Sequence, residues 1–177
     1  MTIEPKPSNI RKEEIYSLGA KIAGHLNYGP NGDIEAAVRK AGGRIEFRDP
    51  WELDLGDSGS VRIRDLYDFV IFISTFTSSS RDRFTIAHEL GHYVLHYFIP
   101  FRNSPRSGGE DRTMICARAG EGRVEWEANW FAAGFLMPQD KFREALEQEC
   151  GDFDLVAERF GVSSKAAEIR AKIIDRM

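Results

Sequence analysis

Two histidines and a glutamate lie close together in the sequence, in the order His88, Glu89 and His92. In an α-helix, residues four apart lie on one face, about 40° from each other around the axis. His88 and His92 can therefore bind one metal ion, and Glu89 can reach a water molecule on that metal. This spacing is typical of zinc peptidases, in which the glutamate takes a proton from the water. The motif predicts metal-assisted hydrolysis.

The residues around this motif predict a helix. Ser79 and Asp82 fit a capping box at its start, and Pro100 is expected to end it. Apolar residues recur at helical spacing and predict one buried side: Ala87, Leu90, Val94 and Phe98. Gly91 lies inside the helix, where glycine costs about 1 kcal/mol relative to alanine. We therefore expect a neighbouring backbone or a substrate to approach the helix closely at Gly91.

A catalytic zinc ion takes three protein ligands and leaves one position for water. His96 follows His92 by four residues, but it lies two turns along the helix from His88 and about 80° around it. We expect His96 to make a hydrogen bond or to close the helix end, and not to join the ion. A pattern with a third histidine six residues after the second is excluded, because that position is Phe98. The third ligand must come from another part of the chain.

A second predicted helix, over residues 124–138, contains two candidate glutamates. Glu125 shares a helical face with three small or polar residues: Ala128, Asn129 and Ala132. Small residues would let this helix pack closely on the first, so we favour Glu125 as the third ligand. Asn129 would then contact a ligand from behind. Glu127 points about 200° away from Glu125 and is expected to meet solvent or make a secondary contact. The large apolar residues of this helix are expected in the core: Trp126, Trp130, Phe131, Phe135 and Leu136.

The segments before the motif predict a small sheet that follows two helices. Residues 1–12 are expected to form a loose arm, and residues 50–59 a loop. Two alternating stretches and one continuous apolar run indicate strands. Helices are predicted over residues 12–26 and 33–40, and strands over residues 44–48, 60–64 and 69–73. In zinc peptidases an edge strand of such a sheet often pairs with an extended substrate.

Residues 103–123, which lie between the two halves of the predicted site, are expected to form a long loop. Loops of this length in compact domains are usually functional or disordered, so a lid over the site is a reasonable hypothesis. Cys116 lies in this segment and could offer a thiolate to the metal. We favour a free thiol without that role.

The composition limits the protein class. The chain has 177 residues, of which 42% are hydrophobic, enough for one domain with a real core. Its net charge of −4 argues against binding nucleic acid through bulk charge. No apolar run reaches the roughly 18 residues of a membrane span, and the N-terminus lacks the apolar core of a signal peptide. The two cysteines form no Cys-x-x-Cys pair, so we expect free thiols and a cytoplasmic protein.

The last part of the chain predicts more helices. Residues 141–177 are expected to form a helical segment that packs on a metallopeptidase domain at residues 1–140. Residues 155–170 contain a helical stretch, a glycine turn at Gly161, a serine cap and another helical stretch, an order typical of a helix-turn-helix. Acidic residues slightly outnumber basic ones over 140–177, although basic ones predominate after residue 159. We favour packing or partner docking over DNA binding for this segment.

Together, the two motifs resemble the ImmA/IrrE family of metallo-endopeptidases. The matching segments are RFTIAHELGH at residues 83–92 and ExEANxFAAxxLMP at residues 125–138. The resemblance covers at least residues 60–140. It implies an α+β fold with a gluzincin-like zinc core, built from a small sheet, the motif helix and a glutamate-bearing helix. It also implies that three residues bind zinc and that Glu89 is the general base. These implied ligands are His88, His92 and Glu125.

The resemblance further implies a zinc-dependent endopeptidase that cleaves a partner transcriptional repressor in phage, mobile-element or stress-response regulation. Some homologues act in toxin–antitoxin modules. The alternative is a regulatory protein that keeps the metal core as a structural site and acts through its C-terminal helices on DNA or a partner. Zinc is expected over manganese or iron, although the same ligand types suit those ions. Tyr93 and His96 are candidate donors to the transition state.

Overall fold

The computed structural model describes residues 3–49, 60–104, 113–117 and 122–175. Within these residues the chain has the predicted α+β fold, with a small mixed sheet and several helices. A π-helical turn, Tyr93–Phe98, continues α3. In chain order the elements are α1 (Lys12–His25), α2 (Ile34–Lys40), β1 (Gly43–Arg48), β2 (Ser60–Asp65), β3 (Asp68–Ser74), α3 (Ser79–His92), the π turn, α4 (Ile99–Phe101), β4 (Met114–Ala117), α5 (Arg123–Leu136), α6 (Gln139–Gln148), α7 (Phe153–Phe160) and α8 (Ser164–Ile174).

The four strands form one sheet in the order β1-β3-β2-β4. β1 runs parallel to β3, whereas β2 runs antiparallel to both β3 and β4. The central strand β3 is buried on both faces, as its continuous apolar sequence predicts. Val70 and Phe72 form a small cluster on one face, and alternate residues join the main core on the other. The main core packs against α3, which contacts β2 and β3.

Part of the predicted loop at residues 103–123 is a strand. Met114–Ala117 pairs antiparallel with β2, and this pairing satisfies backbone groups that a surface loop would leave to water. A four-residue strand is too short to show a periodic pattern in the sequence. Most of the predicted lid, and the loop predicted at residues 50–59, lie outside the described residues.

The N-terminal arm has almost no regular secondary structure, but it is not loose. The backbone N–H of Ile3 donates to the carbonyl of Thr113 at 2.8 Å, which gives an isolated parallel bridge to β4 at Met114. Further along the arm, the N–H of Ser8 donates to the Glu127 carboxylate at 2.7 Å. Hydrogen bonds to distant elements hold the arm, and these partners could not be read from its own sequence.

The motif helix α3 begins at Ser79, with Ser78 as its N-cap, and the Ser78 side chain makes no capping hydrogen bond. The predicted capping box was wrong, because Asp82 accepts a hydrogen bond from the Thr77 hydroxyl instead. Pro100 does not end the helical run, which continues to Phe101. Pro100 lies in the first turn of α4, a position where its missing N–H is tolerated.

Two glycines bring α1 and α5 into direct backbone contact. A Cβ atom placed on Gly134 would lie 2.3 Å from the carbonyl oxygen of Tyr16 in α1. A Cβ on Gly19 would lie 2.5 Å from the carbonyl oxygen of Phe131 in α5. Neither position has room for a methyl group, so the distance between the two helices depends on both glycines.

We expect Gly134→Ala to destabilise the protein, because the new methyl group would overlap the main chain of α1. Overpacking of this kind costs about 1–3 kcal/mol, occasionally more. Gly24→Ala is the matched control, since a Cβ on Gly24 in α1 meets nothing within 4 Å. That change should stabilise the protein by up to about 1 kcal/mol. Urea unfolding would measure both free energies, and equal stability of the two variants would contradict the contact.

The C-terminal helices form as the sequence predicts. Gly161 ends α7 in the left-handed conformation, and the Ser163 side chain caps α8 by accepting from the N–H of Ala166. Arg170 of α8 is buried, and its Nε donates to the carbonyl of Met137 at 3.0 Å while its guanidinium lies over the Tyr16 ring. This segment packs on the rest of the described chain. None of the described helices is both long and apolar enough to cross a membrane.

Candidate metal centre

Three side chains that could bind a metal converge between α3 and α5. The Nε2 atoms of His88 and His92 lie 3.0 Å apart. The Glu125 carboxylate faces both, with Oε2 at 3.1 Å from His88 Nε2 and Oε1 at 3.3 Å from His92 Nε2. The potential ligand atoms of the three residues all lie within 4.8 Å of one another. The structure therefore brings together the two histidines and the glutamate that the sequence singled out.

Close packing of α3 on α5 makes this convergence possible. A Cβ on Gly91 would lie 3.2 Å from both the Cα and the carbonyl oxygen of Ala128. Ala128 and Ala132 are fully buried. The close approach predicted at Gly91 is confirmed, and the groups that approach are the backbone of α5 at Ala128 and the Phe131 ring, at 3.1 Å.

His88 is oriented from behind by a hydrogen bond. Its Nδ1 lies 3.0 Å from Oδ1 of Asn129, an acceptor, so Nδ1 carries the proton and donates it. The lone pair of the neutral ring is then on Nε2, which faces Glu125. The geometry agrees with the supporting contact expected of Asn129.

The charge balance of the cluster favours an ionised Glu125. Burial alone would raise the pKa of Glu125, but the two imidazoles, whose Nε2 atoms can donate to it when they carry a proton, outweigh burial and hold the pKa below its ordinary value. Burial lowers the pKa of His92 and so favours its neutral form. Neutral imidazoles and an ionised carboxylate are the forms that bind metals. Two imidazoles and one carboxylate are also a ligand set of catalytic zinc, so the residues present fit a divalent metal ion.

Cys116 lies in β4 and is buried. Burial raises the pKa of the Cys116 thiol, and the charges of Glu89 and Glu125 raise it further. Since the thiol stays protonated at neutral pH, it is poorly suited to bind metal, in agreement with the preferred prediction for Cys116.

The structure decides between the two alternatives for Glu127 and corrects one prediction for α5. Glu127 is 0% exposed, so it makes a secondary contact and does not meet solvent. Its carboxylate accepts from Arg123 Nε at 2.8 Å and lies 3.2 Å from Nε2 of His96. Trp126, predicted in the core, is 58% exposed. Helical periodicity placed Trp126 on the wrong side because it could not show which neighbours flank the start of α5.

The two candidate transition-state donors make their hydrogen bonds away from the Nε2 atoms of His88 and His92. The Tyr93 hydroxyl donates to the backbone carbonyls of Leu66 and Ala41, and burial raises the pKa of Tyr93. His96 makes the hydrogen bond that was expected of it, and its Nδ1 also lies 3.1 Å from Nδ1 of His92. Burial and the nearby His92 lower the pKa of His96 to about 4, so its ring is neutral.

The sequence did not indicate the link between His96 and Glu127. The π turn contains His96, and such a turn holds more residues than the 3.6 of an α-helix. Rotation per residue is then smaller, so His96 is not carried the further 40° around the axis that an α-helix would give. The only hint in the sequence was the spacing of four residues from His92 to His96, which equals the spacing from His88 to His92. It could have indicated that His96 contacts His92, but it does not point to Glu127.

Comparisons with known proteins agree with this geometry. The family model of the IrrE N-terminal-like domain, peptidase M78, matches residues 51–172. No curated protein matches the sequence significantly. The solved structure of a Mycobacterium tuberculosis transcriptional regulator is similar, with a TM-score of 0.58 and 20% identity, over 90% of this chain and 46% of that one. At this identity the similarity shows the fold alone, and the chain corresponds to less than half of that regulator.

Proposed function

The chain belongs to the peptidase M78 family of IrrE N-terminal-like domains, and from that premise we propose that it is a zinc-dependent endopeptidase that cleaves a partner regulatory protein. One observation carries the proposal: His88, His92 and Glu125 converge in a largely buried cluster. The family and this candidate site both support a metallopeptidase. The same ligand types also suit manganese and iron, and we favour zinc because this ligand set is typical of catalytic zinc.

We assign the chemical roles as follows from the chain's own groups. His88, His92 and Glu125 would hold the ion, which would polarise the scissile carbonyl and make water more acidic. Glu89 is the proposed general base, whose carboxylate takes a proton from the attacking water and returns it to the leaving amine. We assign neither Tyr93 nor His96 as a transition-state donor, because their hydrogen bonds are made elsewhere.

The proposed substrate is an extended segment of a protein, bound along β4. β4 is an edge strand, and Cys116 within it lies near both Glu89 and Glu125. Among the described residues, its outer side carries only the isolated bridge from Ile3 to Met114. An extended peptide could add to such an edge through main-chain hydrogen bonds. The substrate backbone would then pass beside the metal ligands.

The proposed partner is a transcriptional repressor, cut at few positions, in phage, mobile-element or stress-response regulation. Cysteines Cys116 and Cys150 are free, which supports a reducing compartment, and we propose the cytoplasm. In α8, Arg170 is buried against Tyr16 and cannot reach a phosphate, which supports partner docking over DNA binding. The domain division at residue 140 stays a prediction.

Metal-dependent cleavage tests this function directly. The purified chain, loaded with zinc, is incubated with the regulator encoded beside its gene, and products are identified by mass spectrometry. We expect cleavage at one or a few sites, its loss with a chelator, and its return when zinc is added back. A regulator that remains intact with the zinc-loaded chain, while chelation changes nothing, would count against both the enzyme and this substrate.

A further inference from the structure

A buried series of hydrogen-bonded side chains begins at Nδ1 of His92, and the proposed reaction does not use it. Nδ1 of His92 is 3.1 Å from Nδ1 of His96, and Nε2 of His96 is 3.2 Å from Oε2 of Glu127. The side chains of all three residues are buried. Polar groups this deep need their partners, so each nitrogen and oxygen along the chain has a defined donor or acceptor role.

Hydrogen-bond chemistry fixes the proton positions along this chain. An ionised carboxylate can only accept, so Nε2 of His96 must donate to Glu127. A neutral imidazole carries one N–H, which leaves Nδ1 of His96 as an acceptor. Nδ1 of His92 must then donate to it, and the lone pair of His92 is on Nε2. That nitrogen faces His88 and Glu125 in the predicted metal site.

Two further contacts hold Glu127 as an acceptor. Arg123 Nε donates to Oε1 at 2.8 Å, and the N–H of Ser8 donates to Oε2 at 2.7 Å. Nε2 of His96 makes a third contact with this carboxylate, at Oε2. Both oxygens therefore face N–H groups, an arrangement that an ionised carboxylate fits because it can only accept.

We infer that His96 and Glu127 are positioning residues for His92: Glu127 fixes the proton of His96 on Nε2, and His96 fixes the proton of His92 on Nδ1. His92 is thereby held with Nε2 ready to bind metal and with its ring orientation set. Because the metal is part of the proposed function, this role rests on that proposal. The two histidine ligands are supported differently, His88 by the neutral amide of Asn129 and His92 by a charged chain.

A purely structural role would require only that the buried space be filled, whereas positioning requires an acceptor facing His92. Two substitutions separate these roles. His96→Phe keeps a ring of similar size but removes the acceptor. His96→Gln supplies a carbonyl that can accept from His92 and an amide that can donate to Glu127. We expect the glutamine variant to behave like wild type and the phenylalanine variant to fail.

Two measurements test this inference. Zinc affinity is measured by competition with a chromophoric chelator, and loss of a supporting partner of this type weakens metal binding about 10–100-fold. We expect that loss for His96→Phe and near wild-type affinity for His96→Gln. In the metal-free protein, ¹⁵N shifts of the imidazole nitrogens report the tautomer of His92. We expect Nδ1–H in wild type and a shift toward Nε2–H in His96→Phe.

Failure of the proposed function and failure of this inference would give different results. If the wild-type chain binds no zinc, the proposed function fails, but the tautomer measurement still decides the proton chain. If metal-free wild type carries the His92 proton on Nε2, the inference is wrong even if the variants do not fold. Equal zinc affinity for His96→Phe and wild type would also overturn it.

Discussion

Glu89→Gln is expected to abolish peptide cleavage while the protein still binds zinc. Glutamine has the size and shape of glutamate, so it should fill the same buried position, where Glu89 is 1% exposed. It cannot accept a proton from water, and loss of a general base lowers rates about 10²–10⁴-fold. The measurements are kcat/KM for cleavage of the partner regulator and zinc content of the purified variant.

A matched control is Glu147→Gln, which removes a carboxylate from the exposed side of α6 and should leave cleavage unchanged.

The Glu89→Gln variant also separates the enzyme hypothesis from the hypothesis of a regulatory binding protein. If Glu89→Gln retains the full biological effect although it no longer cleaves, the chain acts as a regulatory binding protein with a structural metal. If the variant cleaves at the wild-type rate, Glu89 is not the base.

Glu125→Ala is expected to remove most of the zinc affinity, because it deletes one of three proposed ligands. The loss should exceed the 10–100-fold typical of losing a supporting partner. A ligand that binds only the folded state stabilises it by about 4 kcal/mol at a thousandfold excess over Kd. Zinc should therefore raise the Tm of the wild-type chain and leave the Tm of Glu125→Ala almost unchanged.

Thermal unfolding with and without zinc measures this difference, and chelator competition gives the affinities. Glu147→Gln again serves as the control, because it removes the same negative charge as Glu125→Ala. Glu147 is exposed on α6 and lies far from the three ligands in the sequence. If Glu125→Ala retains the zinc-dependent rise in Tm, the third ligand is another residue. The His88 and His92 pair would then need a partner that the present cluster does not contain.

The sequence was sufficient for the two helices that carry the candidate ligands, because helical spacing is a local property. His88 and His92 repeat at four residues, and the small residues after Glu125 indicated close packing. The hydrogen-bond partners of Glu127 could not be predicted in the same way. They include Ser8 and His96 of the π turn, and a local sequence pattern cannot indicate a partner 119 residues away.

The same limit explains the errors in β4 and the N-terminal arm. β4 and the N-terminal arm are held by hydrogen bonds to distant elements, so their own residues predicted only a loop and a loose arm. The capping serine of α8 and the terminating glycine of α7 act within a few residues, and both were predicted correctly. Local signals were not always sufficient, since the capping box at Ser79 and the helix end at Pro100 were also local predictions and both were wrong.

The contact between Gly91 and the main chain of Ala128 has a consequence for ion size. Side chains between two helices can repack, but main chain against main chain cannot be compressed. Zinc bonds to nitrogen and oxygen are about 2.0–2.2 Å long, whereas calcium bonds to oxygen are about 2.3–2.6 Å. The contact therefore sets a lower limit to the separation of α3 and α5, and an ion with shorter bonds could not draw the two helices closer together. The longer bonds of calcium would move the ligands apart, which this contact does not resist, so discrimination against larger ions would come from ligand chemistry.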